Sequence, residues 1–200
     1  MAGMMMKMGT SAIKTQLEEK SMDIDWEDYN YPPGLKIMHF KPSELEDKSK
    51  IMVAHCMHVA FIGIPIFYLF NLSINLAGIF MKIEGASFYH ALYSIFHFMI
   101  GVPLAMGVFS KGYRSLAGIS DERTWYKFGE GFMIIFVSLA FFFEMLCYHG
   151  LQDVLRMRKE NGVIFIFGLI EQSILLIEFG CRLYAILMVF MKYQPPETDN

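Results

Sequence analysis

Long apolar runs, separated by short polar connections, organise the chain. After fifty mostly polar residues, apolar runs occupy about 51–80, 88–109, 128–150 and 163–191, and a short polar stretch at 194–200 ends the sequence. Each run reaches the roughly 20 residues that a helix needs to cross a hydrocarbon core. The pattern predicts an all-α integral membrane protein with four transmembrane helices, of which the first two form an antiparallel hairpin.

The first fifty residues have a different composition. They contain seven lysines, an acidic stretch around Trp26, and the turn signal Tyr31-Pro32-Pro33-Gly34. Few of their side chains are suited to a hydrophobic core, so we predict a largely disordered polar tail.

Basic residues are unevenly distributed among the polar segments. The tail, the 110–127 connection and the C-terminal end from Lys192 onward together carry twelve Lys and Arg, whereas the two connections on the opposite side carry four. Positive charge is enriched in cytoplasmic segments of membrane proteins. We therefore expect both termini to face the cytosol.

Composition excludes several classes of protein. Hydrophobic residues make up 54% of the chain and charged residues 18%, a balance that a water-soluble domain of this size could not bury. The net charge of -3 and the absence of a long basic run argue against nucleic-acid binding. No phosphate-binding loop, nucleophile elbow or metalloprotease motif is present, so we expect no enzymatic activity and no cofactor.

The fourth run contains three ionisable residues. At about 100° per residue, Glu171, Glu178 and Arg182 fall on one helical stripe roughly 40° wide. Glu178 and Arg182 have i, i+4 spacing and can neutralise each other. Glu171 has no obvious partner on its own helix, although Glu144 near the end of the third run is expected at a similar depth and could share a proton with it.

Two interpretations of this intramembrane polar cluster remain open. Its three acids could line a proton or cation path, since ionisable residues inside membranes are often functional. Alternatively, the cluster could clasp the third and fourth helices together, with Ser138, Gln172, Ser173 and backbone carbonyls as partners. The neutralising Arg182 favours the clasp.

Four histidines in the first two runs raise the question of a metal site. His55 and His58 have i, i+3 spacing, and His90 and His97 have i, i+7 spacing. No His-x-x-x-His or Glu-x-x-His pair reinforces them, and histidines are common at membrane interfaces. We predict no metal site.

The connection at 110–127 combines cationic and aromatic side chains beside two helix ends. Such a composition is typical of segments at the headgroup layer of an anionic membrane. The sequence predicts a lipid-binding loop, with ordinary positive-inside bias and an aromatic belt as the alternative. Its candidate residues are Lys111, Tyr113, Arg114, Arg123, Trp125, Tyr126 and Lys127.

Several motifs resemble those of the secretory carrier membrane protein family. The similar segments are Asn30-Tyr31-Pro32-Pro33, Lys41-Pro42, the Leu- and Asn-rich stretch 69–77, Pro103 in the second run, and Phe109-Ser110-Lys111-Gly112-Tyr113-Arg114-Ser115-Leu116. Together they cover about residues 30–150. The chain departs from the family in lacking the Cys-Trp-Tyr-Arg-Pro core, which 109–112 replace, and in having no Asn-Pro-Phe tripeptide in its tail.

The resemblance implies a non-enzymatic protein of Golgi, post-Golgi or endosomal vesicles that assists protein transport and membrane recycling. Its basic loop would engage anionic lipid such as phosphoinositides, and its helices would contact other membrane proteins or further copies of the chain. Two alternatives stay open: an accessory subunit of a larger complex, such as a respiratory assembly of the mitochondrial inner membrane, and a small proton-coupled transporter.

Overall fold

The computed structural model describes residues 24–45, 47–83, 86–143 and 147–192, and within these ranges the protein is helical. Its helices are α1 (Lys48–Phe80), α2 (Phe88–Leu116), α3 (Ser120–Phe142), α4 (Leu151–Glu160) and α5 (Gly162–Met191), preceded by a 3₁₀ turn at Pro42–Glu44. Four of them, α1, α2, α3 and α5, are long and apolar enough to cross a membrane. The predicted fold class, a four-span all-α integral membrane protein, is confirmed.

The four long helices form a closed bundle. Helix α1 packs against α2 and α5, and α3 completes the bundle by packing against α2 and α5. The Nζ of Lys192, just after α5, donates to the Oγ of Ser49 in the first turn of α1 at 2.7 Å. The chain therefore enters α1 and leaves α5 at one end of the bundle, called here the terminal end; the opposite, hairpin end carries the α1–α2 turn and α4.

The bundle has an apolar interior and an apolar exterior. Ile64, Phe67, Val137 and Leu175 are fully buried, and large apolar side chains such as Met99 on the outer surface are exposed. A helix that is hydrophobic on all sides is expected where its outer face contacts lipid. This distribution explains why the spans read as continuous apolar runs.

The connection predicted at 110–127 is mostly helical. Helix α2 continues to Leu116, α3 begins at Ser120, and only Ala117–Ile119 link them, with Gly118 at φ 109°. The polar sequence remains helical because the facing surfaces of the two helices pack closely: a Cβ on Gly112 would lie 2.7 Å from Cε2 of Tyr126. The polar residues of this connection indicate where the chain leaves the apolar part of the membrane. They do not indicate where the helices end.

The third helix is shifted by eight residues toward the N-terminus relative to the predicted span of 128–150, with the same length of 23 residues. It runs from Ser120 to Phe142, and residues 147–150 are non-helical although Cys147 and Tyr148 are buried. Helix α4 follows, with Val154 and Met157 packed on Ile74 and Ile164. The apolar run continued beyond the helix because this buried non-helical stretch is also largely apolar.

Part of the N-terminal tail is folded onto the terminal end, so the predicted disorder does not extend to residues 24–45; residues 1–23 lie outside the described ranges. Residues 24–45, called here the docked segment, turn back at Pro32–Gly34, so that the backbones of Tyr31 and Met38 exchange two 2.9 Å hydrogen bonds. Tyr31, Met38 and Leu45 are buried in the main core. Spaced apolar residues in a polar segment are sufficient for docking when a bundle supplies the rest of the core.

Candidate functional site

The polar stripe on α5 points into the bundle. Glu171, Glu178 and Arg182 are at most 3% exposed, together with Leu175 and Ala185 on the same face. All three ionisable groups of this helical stripe are therefore buried inside the bundle. They do not form one cluster, because Glu171 has different partners from the other two.

Arg182 lies at the centre of the first cluster, called here the arginine cluster (Glu130, Glu178 and Arg182). Its Nη1 donates to both carboxylate oxygens of Glu130 on α3 at 3.1 Å, and its Nη2 donates to the carbonyl oxygen of Ala60 on α1 at 3.2 Å. The same Nη2 lies 3.6 Å from Oε2 of Glu178. The predicted Glu178–Arg182 pair thus exists as the looser contact, and Glu130 is the principal partner.

Glu178 itself lies directly against the backbone of α1. A Cβ placed on Gly63 would be 2.5 Å from its Cγ and 2.6 Å from its Oε1. Only a glycine at position 63 leaves space for this carboxyl group. Neither Glu178 oxygen accepts a hydrogen bond from any described residue, although both are buried.

The second cluster, called here the asparagine cluster, consists of Asn71, Asn75, Ser94, His149, Glu171 and Gln172. Asn71 donates through Nδ2 to Oε1 of Glu171 at 2.8 Å, and Nδ1 of His149 lies 3.2 Å from its Oε2. Glu171, which had no partner in the sequence-based interpretation, is held by α1 and by the segment after α3.

The asparagine cluster also accounts for the buried non-helical stretch. Asn71 and Asn75 both donate to the carbonyl oxygen of Cys147, at 2.8 and 3.0 Å, and Gln172 donates to the carbonyl oxygen of His149. Non-helical backbone at membrane depth is tolerated only where its polar groups are satisfied inside the protein. The side-chain amides of α1 and α5 supply that satisfaction.

The residues expected for the clasp and for the proton or cation path are only partly found around the α5 acids. Ser138 and Ser173 donate to the carbonyl oxygens of Ile134 and Leu169 on their own helices, so they are not the expected clasp partners. Gln172, the third expected partner, does donate to the carbonyl oxygen of His149, and the remaining inter-helix contacts come from other side chains, including those of α1. Glu144, the other acid of the proposed path, lies outside the described residues.

The candidate lipid-binding residues are not equally placed at the terminal end. Tyr113 and Tyr126 are fully buried between helices and cannot reach lipid headgroups. Lys111 donates to Oε2 of Glu122 at 2.6 Å, and Nε of Arg114 lies 3.9 Å from its Oε1. Lys111 and Arg114, two of the four expected cationic groups, are therefore partly neutralised by Glu122. The count of Lys and Arg along the sequence did not reveal this pairing.

The remaining candidates are found on α3. Trp125 is 64% exposed, and Arg123 and Lys127 are half-buried on the same helical turns. The Nζ of Lys127 lies 4.0 Å from the ring centroid of Phe190 on α5. The exposed indole is the member of the set best placed for an interface.

The docked segment adds ionisable groups that sequence reasoning did not single out. Buried His39 places Nδ1 3.0 Å from the carbonyl oxygen of Asp28 and Nε2 2.7 Å from Oε2 of Glu44. Burial raises the pKa of Glu44, but hydrogen bonds from Lys41 and His39 outweigh it and leave that pKa below its ordinary value. Glu44 thus links both residues to the 3₁₀ turn.

Several members of both clusters were missed in the sequence. Glu130 lies near the start of the apolar run at 128–150, but helix α3 begins eight residues before that run, so Glu130 is well inside the helix. Asn71 and Asn75 carried a usable signal, since two amides at i, i+4 within an apolar span lie on one face and need buried partners. Gln172 was among the expected partners of the clasp, whereas Ser94 and His149 could be identified as partners only from the fold.

Within the described ranges, no group of three or more His, Cys, Asp or Glu side chains is arranged to hold a metal ion. No family model matches the sequence, and no curated protein or solved structure matches it.

Proposed function

We propose that the chain is a non-enzymatic vesicle membrane protein of post-Golgi and endosomal trafficking, as its resemblance to secretory carrier membrane proteins implies. The observation that carries the proposal is that resembling motifs distant in the sequence meet in space. Asn30–Pro33 and Lys41-Pro42 belong to the docked segment, which rests on Phe109–Leu116 of α2. The motifs therefore form one structural surface.

The contacts between these motifs are specific. The ring of Tyr31 lies 5.9 Å from that of Phe109, and Phe40 lies 5.0 Å from the same ring. Asn30 accepts a 2.9 Å hydrogen bond from the N–H of Phe40 through Oδ1, which fixes the turn that presents these aromatic rings. Interdependent side chains of this kind support a shared fold at the terminal end more strongly than separate local matches would.

This surface has a composition suited to the cytosolic face of a vesicle. At the same end of the bundle, Trp125 is exposed and available to the headgroup layer, and Arg123 and Lys127 lie on the same turns of α3, with Nε and Nη1 of Arg123 buried. Basic groups at an anionic surface contribute about 1 kcal/mol each, and an indole contributes through burial at the interface. We place the proposed lipid contact at this end of α3, where Trp125 lies on the opposite side of the helix from Arg123 and Lys127, since Glu122 offsets Lys111 and Arg114.

Localisation is the decisive experiment for the trafficking role. Tagged protein at native abundance should move with vesicles bearing endosomal or Golgi markers, and both tail tags should be digested when protease is added to intact, cytosolic-side-out vesicles. Retention in the mitochondrial inner membrane, with co-purification of one stable complex, would overturn the proposal in favour of an accessory subunit.

Lipid contact can be measured separately because the chain has only two tryptophans. In a Trp26→Phe background, quenching of Trp125 by a brominated phosphoinositide should exceed quenching by brominated phosphatidylcholine. Arg123→Gln with Lys127→Gln, or added salt, should remove the difference. The matched control is Arg156→Gln with Arg158→Gln on α4 at the hairpin end. Equal quenching by the two lipids would contradict the lipid contact without affecting the localisation result.

A further inference from the structure

The arginine cluster contains unequal numbers of acids and bases. Two carboxyl groups, Glu130 and Glu178, share one guanidinium, Arg182, and all three side chains are at least 96% buried. With both acids ionised, the cluster would have a net charge of -1 in the interior of the bundle. An uncompensated charge there is costly, and a bound proton removes it.

The surroundings of Glu178 offer no second cation among the described residues. Helix α5 packs against α1, α3 and α4. From α1 the carboxyl group faces Gly63 and the neutral Tyr68, from α3 it faces Glu130, and on α5 it faces Arg182 and Cys181. The buried contacts of α4 are near Gly168, ten residues and about 15 Å along the axis.

The geometry distinguishes the two acids. Glu130 receives two hydrogen bonds from Arg182, which is the arrangement of an ionised carboxylate. Glu178 receives none from the described residues and lies 3.6 Å from a nitrogen already committed to the carbonyl oxygen of Ala60. A buried carboxylate without donors is far less favourable than a buried neutral carboxylic acid.

We propose that Glu178 is a proton-binding site inside the membrane-spanning bundle and that its bound proton, taken from solvent, keeps α1 closely packed on α5. The proton makes the arginine cluster neutral and allows the carboxyl group to rest against the backbone at Gly63. Loss of the proton places a negative charge beside Glu130 and against an apolar helix surface. Proton binding is thereby coupled to the α1–α5 contact.

The protonation state can be observed directly by infrared spectroscopy of the full chain in lipid. Wild-type protein at neutral pH should show the carbonyl stretch of a buried, protonated carboxylic acid that resists hydrogen–deuterium exchange. Glu178→Gln should remove this band. A band that persists in Glu178→Gln and disappears in Glu130→Gln would move the proton to Glu130 and overturn the assignment, as would the absence of any such band.

A second measurement does not depend on the band. If folded Glu178 holds a proton that an exposed glutamate would release at neutral pH, the folded protein binds one more proton than the unfolded protein. As the pH rises across the neutral range, the ratio of folded to unfolded protein in SDS mixed micelles should then fall about tenfold per pH unit.

Glu178→Gln, which imitates the neutral acid, is expected to fold with wild-type yield and to lose this slope. The same slope in wild-type and variant would overturn the proposal. Glu130→Gln serves as the contrasting variant, because removal of the ionised partner of Arg182 should reduce the folded fraction at every pH. If Glu130→Gln yields no folded protein, the pH slopes of wild type and Glu178→Gln are sufficient to test the proposal.

Discussion

The hydroxyl of Tyr113 in α2 makes two hydrogen bonds with the backbone of Lys41: it accepts from the N–H at 3.2 Å and donates to the carbonyl oxygen at 2.8 Å. One buried side chain thus holds the docked segment at the point where it enters the 3₁₀ turn. Resembling motifs that are 72 positions apart in the chain are joined by this contact.

Tyr113→Phe should therefore loosen the docked segment without disturbing the helices. Loss of the two bonds should cost about 1–3 kcal/mol of docking free energy, since buried partners are left unpaired. Hydrogen–deuterium exchange of residues 24–45 should accelerate, while exchange of α2 should not change. Tyr29→Phe is the matched control, because Tyr29 is 51% exposed and belongs to the same segment; equal acceleration in both variants would contradict the role of Tyr113.

Docking should also depend on pH through Glu44. The pKa of its carboxyl group lies below the ordinary value of 4.5, so the folded state favours the ionised form. The resulting stabilisation is complete above that value and is lost as the pH falls through the lower pKa of the docked state. Exchange of the docked segment should accelerate on acidification below about pH 4.5, and this added acceleration should be missing in Glu44→Gln.

Arg182 and Glu130 should be coupled more strongly than Arg182 and Glu178. Arg182→Leu leaves Glu130 buried without its donor and should cost about 3–5 kcal/mol. Adding Glu130→Leu should restore much of the stability, whereas adding Glu178→Leu should restore less. Unfolding in SDS mixed micelles gives the free energy of unfolding of all three variants. If Glu130→Leu and Glu178→Leu restored stability equally, the two acids would not differ in their coupling to Arg182.

The sequence predicted features that depend on local composition and periodicity. Four spans follow from apolar runs, and the buried stripe of Glu171, Glu178 and Arg182 follows from helical spacing. The partner of Arg182 could not be predicted in this way, because Glu130 lies 52 positions away on a helix whose polar first turns resembled a loop. Helix ends were misplaced for a related reason: polarity reports contact with water or lipid, whereas the end of a helix depends on backbone hydrogen bonds.

Asn71 provides a test of the asparagine cluster. Asn71→Leu removes the amide donor of Glu171 and one of two donors to the carbonyl oxygen of Cys147. We expect a loss of about 1–3 kcal/mol, since polar groups are left unsatisfied in the interior. Ser73→Ala is the control on the same helix, because Ser73 is exposed and bonds only to the carbonyl oxygen of Leu69 among the contacts described. Comparable losses in SDS-induced unfolding would show that the cluster does not contribute specifically.

Gly63 tests whether close approach of the helices is required at Glu178. A methyl group at Gly63 would lie 2.5 Å from Cγ of Glu178, so Gly63→Ala must displace the carboxyl group or separate α1 from α5. Overpacking of this kind should cost about 1–3 kcal/mol. At Gly107 nothing lies within 4 Å of the added Cβ, and Gly107→Ala should be neutral or stabilising by up to about 1 kcal/mol, because alanine is the better helix former.

The double variant Gly63→Ala with Glu178→Ala identifies the source of any damage. If the clash with the carboxyl side chain causes the loss, shortening that side chain should recover most of it, and the combined effect should be well below the sum of the two single effects. If Gly63→Ala instead acts through the α1 backbone alone, the two losses should add. Unfolding of the four proteins in SDS mixed micelles gives the coupling free energy, and a value near zero would separate Gly63 from Glu178.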